Sequence, residues 1–291
     1  MRGLHRLAVV LVLAAAGTVV FAQNPTSKPT FEVASVKKSP PADGGMRVRF
    51  GSREGDRWLA ENATLRILLR NAYDPQYGMD GQIVGGPPWI DTDRFDIQAT
   101  MAPGTSNDDM KAMARTLLAE RFQLRTHSER REMPVYALLI ARSDGRLGPQ
   151  MRRLAVDCEV VRATRARGEK PPGDAAPVCT TGMSIRRTGI TELDSSGMTM
   201  AALIDNLSRA AGRPVLDRTG LTGSFAVSLR FATDANSLSP LGGPPQGVSL
   251  EPVDAPSLTA AVQEQLGLRL ESRREPVAVL VVDSASAPAE N

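Results

Sequence analysis

Hydrophobic residues recur along this chain at two spacings, one typical of helices and one typical of strands. The clearest helical spacing lies in "SNDDMKAMARTLLAERF", residues 106–122, where apolar side chains fall three or four positions apart. Ser106 stands where an N-cap is expected, and Asp109 three residues later completes a capping box. The pattern predicts an amphipathic helix that begins just after Ser106.

Three further segments carry the same helical spacing. They are "TLRILLRNAY" at 64–73, "TMAALIDNLSRAAG" at 199–212 and "SLTAAVQEQLG" at 257–267. Each opens on a residue that suits an N-cap, and these are Thr64, Thr199 and Ser257. Gly212 and Gly267 stand where a helix C-cap is expected. The chain therefore predicts four principal helices.

Strand spacing appears between these helices. Apolar side chains alternate at Phe95, Ile97 and Ala99, and again at Phe225, Val227 and Leu229. A further strand is expected at "FEVASVK", residues 31–37. Short strand pairs are also expected just before the helices that open at Thr64 and Thr199.

One segment of the sequence occurs twice in similar form. "LRTHSERREMPVYALLIA" at 124–141 and "LRLESRREPVAVLVVD" at 268–283 match at about half of their aligned positions when two single-residue gaps are allowed. In each, a charged stretch precedes a continuous apolar run. We expect the charged stretch to form a solvated hairpin turn, and the apolar run to form a strand in the centre of a sheet. His127 and Glu271 occupy equivalent positions in this alignment.

The order of the predicted elements also repeats, since each half of the chain is expected to contain a hairpin, a helix, a strand, a second helix and a second hairpin. We therefore expect an α+β protein of two similar domains made by internal duplication, each with two helices packed on small mixed or antiparallel sheets. The expected domains are residues 23–142 and 183–291. A Pro/Gly/Arg-rich connector spans 143–182, and a flexible insert spans about 233–256 in the second domain.

The first 22 residues are typical of a secretory signal peptide. Arg2, His5 and Arg6 precede an apolar run, and small or aliphatic residues lead up to a cleavage site after Ala22. The run is about 15 residues long, short of the roughly 20 needed to span a bilayer, although an uncleaved anchor is the alternative. We expect an exported protein, periplasmic or extracellular, with no membrane span after cleavage.

Charge narrows the range of partners. The full chain has 35 Lys and Arg against 32 Asp and Glu, and removal of Arg2 and Arg6 leaves 33 against 32. A net charge near +1 is low for a nucleic-acid-binding protein, so no nucleic-acid partner is expected.

The chain has two cysteines, Cys158 and Cys179. In an exported protein such a pair predicts a disulfide bond, and the alternative is a pair of free thiols.

Residues suited to catalysis are few. Cleavage would remove His5 and leave His127 as the only histidine, so neither a catalytic triad nor a zinc site is evident, and no cofactor motif occurs. No catalytic, cofactor-binding or metal-binding residue is predicted. Asp91, Asp93 and Asp96 form a local acidic set that we interpret as turn residues, with a calcium site as the weaker alternative.

Trp89, in the segment "VGGPPWID", is the candidate for a partner surface, because an exposed tryptophan is a common interface anchor. The alternative is that Trp89 closes the core of the first domain.

Several segments together resemble one family of exported proteins of unknown function, a family expanded in soil bacteria of the acidobacterial kind. These segments are "FEVASVKKS", "IVGGPPWIDTDRFDIQA", "LLAERFQLRTHSERREMPVYALLIA", "GRPVLDRTGLTGSFAVSLRF", "LTAAVQEQLGLRLESRREPVAVLVVD" and the terminal "PAEN". Residues 198–231 and 257–270 are more loosely similar to the short N-terminal domain of secretins and TonB-dependent transducers, which makes protein contacts in the periplasm. The family resemblance implies export and supplies no catalytic residue.

The leading expectation is a non-catalytic envelope protein that binds a protein, peptide or glycan. The alternative is an exported hydrolase that uses two carboxylates, because glycosidase-type chemistry needs no histidine.

Overall fold

The structure is a computed structural model that describes residues 28–40, 49–73, 77–79, 81–166, 169–170, 179, 181–186, 189–233 and 253–288. The expected signal peptide with cleavage after Ala22, and most of the expected insert, lie outside these residues. Within them the chain is α+β, as expected, with six helices and three four-stranded sheets.

Within the described residues, the first half and the connector contain seven strands and four helices. They are β1 (Val33–Lys38), β2 (Arg49–Glu54), β3 (Arg57–Thr64), α1 (Leu65–Tyr73), β4 (Ile83–Gly85), α2 (Trp89–Thr92), β5 (Arg94–Thr100), α3 (Asn107–Arg121), β6 (Arg125–Ile140), β7 (Met151–Arg153) and α4 (Cys158–Ala166). The second half contains β8 (Thr181–Arg186), β9 (Ile190–Thr199), α5 (Met200–Ala211), β10 (Val215–Asp217), β11 (Ser224–Ala232), α6 (Leu258–Leu266) and β12 (Leu268–Ser284).

The helix boundaries follow the capping signals of the sequence. The side chains of Ser106, Thr199 and Ser257 each accept a hydrogen bond from the backbone amide three residues later. Gly212 and Gly267 end their helices in the left-handed conformation, with φ of 63° and 70°. Both predicted termini of α5 and of α6, together with the predicted N-terminus of α3, are therefore confirmed.

Two of the sheets have equivalent orders. The first is β1-β5-β3-β2 and the second is β7-β11-β9-β8, and all neighbouring strands in both are antiparallel. In each, a hairpin (β2–β3 or β8–β9) lies beside one later strand (β5 or β11), and a further strand (β1 or β7) forms the other edge. The predicted alternation in β5 and β11 is confirmed, since Phe95, Ile97, Phe225 and Val227 are buried.

The third sheet joins the two halves. Its order is β10-β6-β12-β4, with β6 antiparallel to β12, and with each short outer strand parallel to its neighbour. We call the β6–β12 pair the central ribbon. Both apolar runs lie in these two central strands, as expected from their continuous hydrophobic character.

The prediction of hairpin turns at "SERRE" and "SRRE" was wrong. Each repeat is one uninterrupted strand, of 16 residues in β6 and 17 residues in β12. In the ribbon, the charged half of β6 pairs with the apolar half of β12, so that Arg130 faces Ala278 and Glu129 faces Val279. The partner strand satisfies the backbone hydrogen bonds of the charged stretch while its side chains reach water, and no turn is needed.

The ribbon also exchanges core residues between the halves. Leu280 and Val282 of β12 are buried in the first core, together with Phe95 and Phe122. Leu138 of β6 is buried in the second core. Each such side chain contributes about 1.5–3 kcal/mol of burial free energy, so the ribbon binds the two halves together. The domain boundaries at residues 142 and 183 stay a prediction.

Candidate functional site

The outer edges of the central ribbon are open over most of their length. Among the described residues, β10 pairs with β6 only at Tyr136–Leu138, and β4 pairs with β12 only at Leu280–Val282. A long strand with an unpaired edge is a ready template for a further strand. These edges could therefore accept a strand from a partner.

Prolines and arginines block both edges near their centres. The backbone amides of Tyr136 and Leu280 donate hydrogen bonds away from the ribbon, to the carbonyls of Pro214 and Gln82. In both strands, even-numbered residues therefore direct their backbone groups to the outer edges. Pro134 and Pro276 share this parity, and a proline there removes an outward donor. The guanidinium of Arg130 donates to the Pro276 carbonyl at 2.8 Å.

The opposite edge has the matching contact, from the guanidinium of Arg274 to the Glu132 carbonyl at 3.3 Å. The centre of the ribbon is thus poorly suited to receiving another strand.

A cleft lies where the two halves meet at the ribbon. We call it the central cleft, and its volume of about 360 Å³ falls within the usual range of ligand pockets, about 300–1,000 Å³. It is lined by residues of the segment before β4, of the ribbon, and of α5 and β10. They are Met79, Gln82, Arg130, Ile204, Asp205, Ser208, Arg209, Pro214, Val215, Leu216, Arg218, Pro276, Val277 and Ala278.

Buried polar groups fix the walls of the central cleft. Gln82 is 6% exposed, and its side-chain amide donates to the Ala278 carbonyl at 3.2 Å. Ser208 is also buried, and its hydroxyl accepts the Val215 amide at 2.9 Å. These bonds attach the segment before β4 to β12, and α5 to β10. Because the polar wall groups are satisfied within the protein, the cleft is preformed.

The lining contains three arginines and one aspartate, and Glu275 beside the cleft pairs with one of the arginines, so one positive charge remains in excess. Arg218 donates to a Glu275 carboxylate oxygen at 2.5 Å, which orients its guanidinium beside the ribbon. Arg130 is held by its bond to Pro276. The side chains of Arg130, Arg209 and Arg218 come from β6, α5 and the residue after β10, so three elements contribute the positive charge.

The two aligned repeats differ at the cleft. Val135-Tyr136-Ala137 on β6 corresponds to Val277-Ala278-Val279 on β12. Tyr136 has a large ring that lies under the Arg213 guanidinium, with 4.7 Å to the ring centroid, whereas Ala278 lines the cleft. The small side chain at Ala278 thus leaves space in the lining of the central cleft.

Trp89 lies in the first core rather than on a broad exposed surface. It begins α2, is half-buried, and has its ring centroid 6.1 Å from that of Phe95 and 6.3 Å from that of Phe122. This position matches the alternative in which Trp89 closes the core. A role for Trp89 in partner binding stays a prediction.

The three aspartates of the acidic set point to separate partners. Asp91 pairs with Arg66 at 2.9 Å, and Asp93 pairs with Lys38 at 3.1 Å. Asp96 accepts hydrogen bonds from a serine hydroxyl and from a backbone amide. Over the described part of the chain, no group of three or more His, Cys, Asp or Glu side chains could hold a metal ion.

His127 contacts two carboxylates near one end of the ribbon. Its Nδ1 lies 2.8 Å from Asp283 Oδ1, and its Nε2 lies 3.8 Å from Glu129 Oε2. The hydrogen bond to Asp283 raises the pKa of His127 above 6.5, although the ring stays half-exposed. Glu271 faces Ala137, far along the ribbon, so the structure does not bring the two aligned residues together.

The predicted disulfide between Cys158 and Cys179 is present. Cys158 is fully buried at the start of α4, and its amide donates to the Ser224 hydroxyl on β11 at 2.9 Å. The disulfide closes a loop within the connector, and the hydrogen bond from Cys158 to Ser224 attaches this loop to the second sheet.

The hydrolase alternative needs a pair of carboxylates in a cleft. The buried polar side chains in the described ranges are those of threonine, serine and glutamine, and no carboxylate is among them.

None of the helices in the described ranges has the length and apolar character required to cross a bilayer.

Sequence reasoning missed the residues of the central cleft, since they are spread from Met79 to Ala278. One signal was present, the replacement of Tyr136 by Ala278 between otherwise similar repeats.

The fold and the cleft define an α+β protein whose two halves share a central sheet and a preformed pocket. The chain belongs to the family described as Protein of unknown function (DUF3738), whose profile matches residues 66–285. No curated protein and no solved structure matches the chain.

Proposed function

We propose that this protein is an exported, non-catalytic envelope protein that binds a protein, peptide or glycan in the central cleft. The observation that carries the proposal is the cleft itself, preformed and lined from both halves. The blocked edges of the ribbon favour the cleft over strand addition as the binding mode.

We further propose that the two halves arose by internal duplication. The equivalent orders of the two outer sheets and the symmetric order of the central sheet support this origin. The repeated segment also supports this origin, because its two copies form the paired strands of the ribbon.

Export is supported by the N-terminal sequence pattern and by the disulfide, which suits an oxidising compartment. The loose similarity to the short domain of secretins and TonB-dependent transducers favours a protein or peptide over a glycan. An origin in soil bacteria of the acidobacterial kind fits the same family resemblance.

Site-specific photo-crosslinking in the native envelope tests the proposal. A photoreactive phenylalanine analogue replaces Leu216 in the cleft, and a control replaces Ser228 on the outer face of β11. We expect a discrete crosslinked product from position 216 and none from position 228. Equal products from both positions, or none from position 216, would contradict cleft binding.

The same experiment tests Trp89. If Trp89→Ala leaves the product from position 216 unchanged in a folded protein, Trp89 serves the core and not a partner surface.

A further inference from the structure

We propose that the ligand of the central cleft is an extended acidic peptide segment whose carboxylates alternate with apolar side chains. This inference rests on the proposed binding function and names the class of its ligand.

The first support is the charge of the cleft. Arg130, Arg209 and Arg218 line it from three separate elements. Two carboxylates oppose them, Asp205 in the lining and Glu275, which pairs with Arg218, so that one positive charge remains in excess (three minus two). A guanidinium presents a planar set of donors that matches a carboxylate, and a partly enclosed site strengthens the attraction. Because the cations come from different elements, they suit several carboxylates spaced along a chain better than one small anion.

The second support is the apolar part of the lining. Met79, Ile204, Leu216, Val277 and Ala278 offer hydrophobic surface between the arginines. An inorganic anion has no apolar surface to bury there, whereas leucine or valine side chains do. Glycan sites commonly stack sugar rings on aromatic side chains, and the described lining of this cleft contains none.

The third support is the difference between the repeats. At the position of Ala278, the other repeat carries Tyr136 with Arg213 stacked on its ring. The substitution Ala278→Tyr therefore places in the cleft a side chain that the equivalent strand already accommodates. This provides a blocking variant that keeps all charges.

The test uses two pools of acetylated, amidated hexapeptides and the full exported chain. In the acidic pool, Asp or Glu alternates with Leu, Val or Ala. In the matched neutral pool, Asn or Gln replaces the acids. We expect the acidic pool to bind and to shift the amide resonances of Ser208, Leu216 and Ala278. The neutral pool should bind at least about tenfold more weakly.

Variants locate the interaction. Arg218→Gln and Arg209→Gln should each weaken acidic-pool binding by about tenfold, the usual scale for one charge-assisted hydrogen bond. Ala278→Tyr should abolish it. Arg152→Gln, an exposed arginine on β7 outside the cleft, is the matched control and should leave affinity unchanged. Thermal unfolding followed by circular dichroism verifies that every variant is folded.

Several results would overturn the inference. They are binding of neither pool, equal binding of both pools, resonance shifts away from the cleft, or displacement of the acidic pool by millimolar inorganic phosphate alone. If any of these occurs while the crosslink from position 216 persists, the acidic ligand is wrong and the cleft-binding function stands. Loss of that crosslink refutes the function itself.

Discussion

The substitution Gly267→Ala should destabilise the protein far more than Gly212→Ala, although the two glycines have the same backbone role. Both end a helix in the left-handed conformation, with φ of 70° and 63°. Alanine in this conformation costs about 1 kcal/mol at either position. A Cβ at Gly212 would meet no atom within 4 Å, so this strain is the whole expected effect there.

At Gly267 the added Cβ would lie 2.4 Å from the backbone nitrogen of Gly148, and backbone cannot move aside as a side chain can. The segment around Gly148 must shift. The shift breaks two bonds to α6, from the Gly148 amide to Leu266 and from the Gln150 amide to Gln265, both at 2.8 Å. At about 1 kcal/mol each, their loss brings the expected cost of Gly267→Ala to about 3 kcal/mol.

Urea unfolding of the chain from residue 23 onward, followed by circular dichroism, measures the difference. We expect the midpoint Cm to fall by roughly 1 M more for Gly267→Ala than for Gly212→Ala, since urea slopes are about 1–3 kcal/mol per M. Gly148→Ala should resemble Gly267→Ala, because its Cβ would lie 2.5 Å from the Gly267 nitrogen. Equal Cm values for Gly267→Ala and Gly212→Ala would refute the close backbone contact.

Three further predictions concern the disulfide and two titrating groups. Replacing Cys158 and Cys179 together by serine should lower the free energy of unfolding by about 3 kcal/mol, and an unchanged urea midpoint would contradict this. The pKa of His127 should lie above 6.5 in the folded chain from residue 23 onward, where His127 is the only histidine and gives a single NMR signal, and Asp283→Asn should return this pKa toward 6.5. Its stabilising effect is then present below pH 6.5 and lost as pH rises through the raised pKa; a folded value at or below 6.5 would contradict the Asp283 contact. Asp144 should show a pKa of about 2 by carboxyl NMR, so its effect is present above pH 3.8 and lost as pH falls toward 2, and a value near 3.8 would exclude its bond to Arg142.

Local signals in the sequence predicted four of the six described helices, α1, α3, α5 and α6, and missed α2 and α4. Capping residues such as Ser106 and Ser257 act within one turn, so neighbouring residues alone decide where α3 and α6 begin. The alternation in β5 and β11 was also readable, because one face of each strand packs on a core. The three-residue strands β4, β7 and β10 were missed, since so short a run has no measurable period.

The hairpin error had a different cause. A run such as Glu129–Glu132 is typical of a turn when judged alone. Its conformation is decided by the strand that pairs with it, and that strand lies about 150 residues away in sequence. The central cleft was unpredictable for the same reason, because its lining joins residues from Met79 to Ala278.

The pairing of the two repeats also limits how the protein can bind. Because β6 and β12 are hydrogen-bonded along nearly their whole length, separating the first half of the chain from the second would break the ribbon. It would also withdraw Leu280 and Val282 from the first core, at about 1.5–3 kcal/mol for each side chain. A ligand that required the two halves to part would have to compensate for this cost. If the cleft binds a ligand as proposed, binding has to exploit the shape and charge already present, and the arginines and the small side chain of Ala278 would set its specificity.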